Sequence, residues 1–428
     1  MNPNTMTFKT VFSAEYQMSH YKEPVYQIFA DSRLEASLTK GQTIARSYAS
    51  DVDVNDMGAD GSYDPQAIVD TQETLNISYE KESSIYIKSL DELQAHLPLR
   101  RKYGQKLANA LINQIDADVL LQLYLGAGTA MDDGTFSGTA GNGHVVSSSN
   151  VSTVFTTAMQ KLRLKNVVYH KRFSSKMKLE VPEGMPAAAI SPEILTAIEL
   201  YLGGKDTMLG DKVSRNGYTG YFQGFETFTS NALAWTGSLA MATIPGNGDI
   251  VTVNGVVITF VDTLSATTGA TEVHIASDVD ITRANFAAFL NSAGATSVTE
   301  ATNAGASSAT RAEQRLLKNF VAVNDNTANT LTLQGAGKGT VVVSTDVGSA
   351  IWTVVKQKVH CIFALARSCS LVIQKNPSLT TNPVSRKIGT DYIAWTAYGI
   401  RVFTDQSPQI VAYSVASSAF TSSEPLSR

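Results

Sequence analysis

The residues that come nearest to chemistry form a short glycine-rich turn, Gly335-Ala-Gly-Lys338-Gly-Thr340. In phosphate-binding loops, backbone amides of such a turn cradle the anion while a lysine reaches over it. Here the required first glycine falls on Thr332, and Gly339 stands where a hydroxyl is needed. A predicted strand follows, so no helix N-terminus would face the anion. A tight turn between two strands accounts for the segment better. Asp51-Val-Asp53-Val-Asn55 begins like a calcium loop, but its sixth position is Asp56 instead of glycine and its twelfth is Ser62 instead of glutamate. Ser175-Lys-Met-Lys178 has the outline of an activated-serine motif without the companion motifs. His20, His96, His144, His170, His274 and His360 are scattered, and none stands at ligand spacing from another His or Cys. Cys361 and Cys369 are too few for a disulfide framework and read as buried thiols of a reducing compartment. The sequence assigns no catalytic, cofactor-binding or metal residue, and no cofactor is expected.

The elements that would have to position such groups serve a structural purpose instead. An alternating strand, Leu75-Asn-Ile77-Ser-Tyr79 through Ile85-Tyr-Ile87, runs by way of Leu90-Asp-Glu-Leu93 into one long helix. Apolar side chains recur at Leu107, Leu111, Ile112, Ile115, Val119 and Leu123, while Lys102, Lys106, Asn109, Asn113 and Asp116 take much of the other side. Pro98 marks the first turn. Extended to Leu125 at 1.5 Å per residue, the helix would be roughly 40 Å long, more than most compact domains use.

Composition narrows the class. The 428 residues are 43% hydrophobic and 17% charged, values of a packed chain and not of a disordered one or a coiled coil. A net charge of −4 argues against a protein whose main work is to neutralise a nucleic-acid backbone. The first residues lack the basic-then-apolar order of a signal peptide, and no run of 18 apolar residues occurs. Cytosolic synthesis without membrane insertion is the expectation.

Along the chain, residues 1–40 carry scattered aromatics (Phe8, Phe12, Tyr16, Tyr21, Tyr26, Phe29) and read as an arm with short helices that needs a partner surface to bury its rings. Residues 41–88 hold two extended segments around a polar middle, Asp51 to Pro65. A Gly- and Ser-rich loop over 126–150 precedes a helix from Val151 to Leu164. Met185 to Ile190 is a buried strand, and Ser191-Pro-Glu193 starts a helix reaching Leu202, with the serine as cap. Residues 220–228 alternate as one strand. After Trp235 the chain turns Thr-, Ala-, Gly- and Val-rich, opening with the hairpin signal Ile250-Val-Thr-Val-Asn254-Gly255-Val-Val-Ile-Thr-Phe260. Helical patches at 281–290 and 311–320 and strands at 321–323, 330–333 and 340–343 complete a small α+β unit over 236–352, read as a domain inserted into a larger one. Tyr398 to Phe403 and Ile410 to Tyr413 form two strands around a turn at Pro408.

Taken in this order, the pieces resemble the major capsid proteins of tailed bacteriophages, the Hong Kong 97 fold. Leu75-Asn-Ile-Ser-Tyr with Leu90-Asp-Glu-Leu is similar to the family's loop return and approach to the spine, and Gln105-Lys-Leu-Ala-Asn-Ala with Asp116-Ala-Asp to its spine helix. Ala189-Ile-Ser-Pro-Glu-Ile-Leu, Gln223-Gly-Phe-Glu-Thr-Phe-Thr-Ser-Asn and Ala397-Tyr-Gly-Ile-Arg-Val-Phe are similar to elements of its axial domain and final strands. The resemblance implies an α+β chain with an N-terminal arm at 1–40, an extended loop at 41–88, spine helix and peripheral domain at 89–178, axial domain at 179–235, inserted domain at 236–352, axial and peripheral return at 353–415 and a tail at 416–428. Coat proteins of the short-tailed Salmonella phage type carry an insertion at the same place, but this insert does not look like theirs.

The function implied is that of a shell subunit in the virion, not an enzyme, forming hexamers and pentamers of an icosahedral capsid around double-stranded DNA. Implied partners are further copies of the chain, a scaffolding protein, a portal, a decoration protein and, without sequence preference, the packaged DNA. A cellular encapsulin-like compartment shell of the same fold is the alternative. Only about 40 residues precede the loop, which favours a separate scaffolding protein. The lysine–asparagine cross-link of some relatives finds no assignable positions. Charge adds an independent hint: Asp51, Asp53, Asp56, Asp60, Asp64, Asp70 and Glu73 lie without a Lys or Arg between Arg46 and Lys81, while Lys161, Arg163, Lys165, Lys171, Arg172, Lys176 and Lys178 form a run without an acid. Docking of the acidic loop on a neighbour's basic run, two solvated faces, and a basic inner surface facing DNA all stay open.

Overall fold

The computed structural model describes residues 24–34, 41–49, 54, 56–57, 67, 70–89, 99–167, 185–205, 221–265, 271–292, 309–310, 313–314, 317, 320–336, 343–345, 352–383 and 388–416. A short helix α1 (Tyr26–Phe29) and strand β1 (Ala30–Asp31) come first, then β2 (Thr43–Ala49), β3 (Asp70–Asn76), β4 (Tyr79–Lys88) and the long helix α2 (Leu99–Leu125). There follow β5 (Thr129–Met131), α3 (Val151–Leu164), β6 (Pro186–Ile190), α4 (Pro192–Gly203), β7 (Tyr221–Phe222), β8 (Phe225–Thr229) and β9 (Ala234–Met241). Next come β10 (Ile250–Val253), β11 (Val256–Val261), β12 (Glu272–His274), α5 (Val279–Asn291), β13 (Phe320–Asp325), β14 (Thr330–Ala336) and β15 (Val343–Thr345). The chain closes with β16 (Trp352–Leu365), β17 (Cys369–Pro383), β18 (Gly389–Arg401) and β19 (Ile410–Ala416).

The helix expected from the apolar spacing is α2, and it packs on a sheet of order β1-β17-β18-β4. Leu107 and Leu111 meet Ile87, Tyr392 and Ala394 there, one buried face against another. The far half of the helix departs from the simple two-sided pattern. From Ile115 to Leu120 every residue is buried, because the helix end enters the main core. Asp116 therefore does not lie on a solvated face; it is fully buried, and its Oδ1 accepts from the backbone amides of Val25 and Tyr26 at 2.9 and 2.8 Å. The N-terminal segment is thus tied to the helix, and Phe29 is buried within its own chain without a partner surface. Phe8, Phe12, Tyr16 and Tyr21 lie outside the described residues.

The main core lies around a second, nine-stranded sheet ordered β13-β14-β9-β16-β6-β8-β7, with β19 pairing both β16 and β5. Phe155 of α3 meets Phe222, Phe225 and Phe363 edge to face, the geometry aromatic quadrupoles prefer. Residues 221–229 are not one strand. Gln223 and Gly224 take positive φ (48° and 90°) and turn the segment into the tight hairpin β7–β8. Ser191 stands at the N-cap of α4 in extended geometry, but its hydroxyl makes no capping bond.

Residues 235–333 supply a separate hydrophobic cluster, in which Trp235, Phe260, Phe286, Phe289 and Leu331 are buried. Asn254 and Gly255 make the expected turn with φ of 52° and 81°, joining β10 to β11 in a sheet ordered β12-β11-β10-β15. Of the helix expected over 311–320, Glu313, Gln314 and Leu317 are helical, whereas Phe320 already begins β13. The two ends of this region run straight into the main sheet: β9 pairs β16 from Trp352 opposite Met241 to His360 opposite Ala234, across a bulge between Val355 and Lys358. The long strands β16 and β17, which lie in different sheets, are not expected from the sequence.

Candidate assembly surfaces

The motifs that came nearest to chemistry do not converge. Gly335 belongs to β14, and Lys338 to Thr340 lie outside the described residues, as do Ser175 to Lys178, His20, His96 and His170. Of the calcium-like segment only Val54, Asp56 and Met57 are described, all exposed. His144, His274 and His360 are buried at separate places. His360 bonds Thr236 Oγ1 at 2.8 Å and Ser414 Oγ at 3.0 Å, and burial, with the charge of Lys358 adding to it, holds the imidazole down at about 3, so it is a neutral core group. Cys361 and Cys369 are fully buried, and burial pushes both thiols up to about 12. Among the described residues no group of His, Cys, Asp and Glu is placed to hold a metal, and no helix is long and apolar enough to cross a membrane.

What the structure does build is a hairpin with a fixed root. Among the described residues, strands β2 and β3 pair only with each other, from Thr43 opposite Asn76 to Ala49 opposite Asp70. A lone two-stranded ribbon is marginal in water, so its root is clamped. Glu73 accepts from the amide of Thr404 at 3.1 Å, from its hydroxyl at 2.5 Å and from Arg46 Nη2 at 3.1 Å. Arg46 also pairs with Asp405 and lies 4.2 Å above the Phe403 ring. Burial would raise the carboxyl of Glu73, but the bonds from Thr404 and Arg46 outweigh it and hold the group below its ordinary value. Leu75, Ile77, Val372, Ala397 and Phe403 close an apolar patch beneath. Gly399 permits the approach, since a Cβ there would stand 2.5 Å from the carbonyl oxygen of Asn76. Beyond this root Val54 is 98% exposed and Met57 70%.

A second junction fixes α2 against the β4–β18 edge of its sheet. Asp118, on the side of α2 opposite Asp116, accepts from Tyr398 Oη at 2.6 Å and from Gln114 Nε2 at 2.9 Å, with Lys81 Nζ 4.0 Å away. Tyr79 stacks on Tyr398 with ring centroids 5.3 Å apart, and its hydroxyl accepts from Gln122 at 2.9 Å. Burial raises the Asp118 carboxyl above its ordinary value, more than Tyr398, Lys81 and Gln114 pull it down. Neither the clamp nor this junction was found from sequence; only the acidic residues of the loop and the Asp116-Ala-Asp stretch had drawn notice.

The third feature is the C-terminal end of α3, where Lys161, Arg163 and Lys165 surround Leu164, itself 72% exposed. The rest of the basic run, from Lys171 to Lys178, lies outside the described residues.

No protein-family model and no curated protein sequence matches the chain. Among solved structures it is similar to one from Mycobacterium phage Che8, with a TM-score of 0.55 at 12% identity over 96% of this chain and 97% of that one. The capsid of cyanophage P-SCSP1u aligns with a TM-score of 0.49 at 12% identity over 96% and 94% of the two chains, and that of Ralstonia phage GP4 with 0.44 at 8% over 98% and 97%. The α+β fold expected from the resemblance is the fold the chain has, and it is shared with the Che8 phage structure along nearly the whole of both chains.

Proposed function

We propose that this chain is the major capsid protein of a tailed bacteriophage, which assembles through copies of itself into the hexamers and pentamers of an icosahedral shell around double-stranded DNA. The observation that carries the reading is the hairpin β2–β3: it is rooted in its own chain by Glu73, Arg46 and Phe403, yet presents Val54 and Met57 to solvent on a fold shared with a phage structure. An element held this firmly at one end and uncovered at the other is completed by neighbouring copies. Many modest contacts, repeated by symmetry, then hold the shell. The phage origin of the similar structure favours a genome-enclosing shell over a cellular compartment. Residues 236–352 would be an insertion in the axial domain, with its own core under α5, and scaffolding, portal and decoration proteins would be the further partners. Location in the virion follows from the same reading.

Expression of the chain, with a candidate scaffolding protein where required, followed by negative-stain imaging tests it. Closed shells with fivefold and sixfold clusters are expected; persistent monomers or open tubes would overturn the reading.

A further inference from the structure

We propose that Asn142 is a self-modifying site, which loses its side-chain amide to attack by the backbone nitrogen of Gly143 and leaves aspartate or isoaspartate on the loop between β5 and α3. The inference does not depend on the shell reading and holds for the free chain. Three Asn-Gly pairs stand among the described residues: Asn142-Gly143, Asn247-Gly248 and Asn254-Gly255. In such a pair the glycine nitrogen gives its proton to water and attacks the asparagine Cγ. A C–N bond closes a five-membered imide, the side-chain nitrogen leaves as ammonia, and water then opens the ring at either carbonyl. Glycine adds no side chain to crowd the ring, and the attack is intramolecular, so no enzyme is needed.

The fold separates the three pairs. Asn142 is exposed, and its carboxamide has no hydrogen-bond partner among the described residues. The amide of Gly143 has none there either, so the nucleophile is free. The carbonyl of Asn142 accepts from the amide of Asp133 at 3.0 Å, which draws electrons from the shared peptide and eases loss of the Gly143 proton. Packing fixes the glycine, since a Cβ there would stand 2.6 Å from the backbone nitrogen of Ala416. The other two pairs are closed. Gly248 donates to the carbonyl of Phe260 at 2.8 Å, and Asn247 Oδ1 accepts from the amide of Asp262 at 3.3 Å. Asn254 sits at φ 52° in the turn locked by Val253 opposite Val256, and ring closure would rotate its peptide out of that turn. At Asn142 the new carboxylate stands one residue from Gly141, whose carbonyl accepts from Lys358 Nζ, so each converted copy gains negative charge beside β16.

The purified native chain is aged in warm, mildly alkaline buffer, sampled over days and mapped by peptide mass spectrometry that distinguishes amide from acid. Asn142 should convert about tenfold faster than Asn247 or Asn254, a difference in barrier set by the folded chain. In denaturant the three rates should draw together. An Asn142 no faster than the other two would overturn the proposal. So would a ranking that denaturant leaves intact, since local sequence and not the fold would then set it. Asn142→Gln supplies an independent reading, because its longer side chain closes a ring far less readily. The acidic species that builds up on isoelectric focusing of the aged native chain should fall by the share mapped to Asn142, and an undiminished species would overturn the site.

Discussion

Glu73 at the root of the hairpin and Asp118 at the α2 junction are built from similar parts. Each accepts a hydroxyl hydrogen bond, from Thr404 and Tyr398, and each has a cation nearby, Arg46 at 3.1 Å and Lys81 at 4.0 Å. Their carboxyls are nevertheless displaced in opposite directions. Glu73 has a direct guanidinium contact and two bonds from Thr404, enough to offset its burial. Asp118 is walled in by α2, β4 and β18, and its cation stands farther off. The lesson is one of coordination: a charge glues the hairpin where its partners are complete and strains the α2 junction where burial exceeds them.

The opposite displacements give opposite pH dependences. Glu73 holds a proton less readily folded than unfolded, so its contribution is fully present above its ordinary value of 4.5 and is lost as pH falls through the lowered one. Asp118 holds a proton more tightly when folded. Its ionisation therefore costs stability as pH rises from 3.8 through the raised value, and the whole cost is present above it.

The largest expected effect breaks the α2 junction. Tyr398→Phe removes the 2.6 Å donor from a buried carboxylate and should cost the unassembled chain about 2 kcal/mol at neutral pH, read as a lower urea midpoint. The loss should shrink in acid, where Asp118 carries its own proton; equal losses at both pH values would show that the bond does not serve the charge. Next in size is Glu73→Gln, which keeps the shape and removes the charge at the clamp. About 1 kcal/mol is expected at neutral pH, since Arg46 is partly solvated and keeps Asp405. That difference should fade as pH falls through the lowered value of Glu73, and a cost that persists below it would assign Glu73 a packing role only.

How much of this was legible in the sequence depends on the range of the interaction. The spacing of Leu107, Leu111, Ile115 and Val119 announced α2, and Asn254-Gly255 announced a hairpin, because both are fixed by neighbours within one turn. Gln223-Gly224 makes the same kind of turn without the usual residue at its first position, so it passed for the middle of a strand. Strand β17 was hidden because register shifts against β18 between Ile373, Lys375 and Ser378 break its alternation. Asp116 was misplaced since helical periodicity tells which residues share a face, and not that a second element covers the opposite one. Both anchoring sites are non-local: Arg46 meets Asp405 and Asp118 meets Tyr398 across hundreds of residues, and no spacing rule reaches that far.

The smallest effect carries the sharpest sign. Asp118→Asn preserves size and still offers an oxygen to Tyr398 or Gln114, but it cannot ionise. Below its raised value the native acid is protonated, donates and accepts as the amide does, and the two proteins should unfold within a few tenths of a kcal/mol of each other, the scale of a well-matched polar exchange. As pH rises the native protein alone acquires a buried charge, so the variant should become the more stable one, with the curves crossing or parting above 3.8. At the clamp the same acid-to-amide exchange, Glu73→Gln, must do the reverse and lose ground as pH rises. Two stability profiles, each measured between pH 3 and 8 against the native chain, therefore decide the comparison. If both variants deviate in the same direction, the two carboxylates are not in opposite electrostatic states and the contrast between clamp and junction fails.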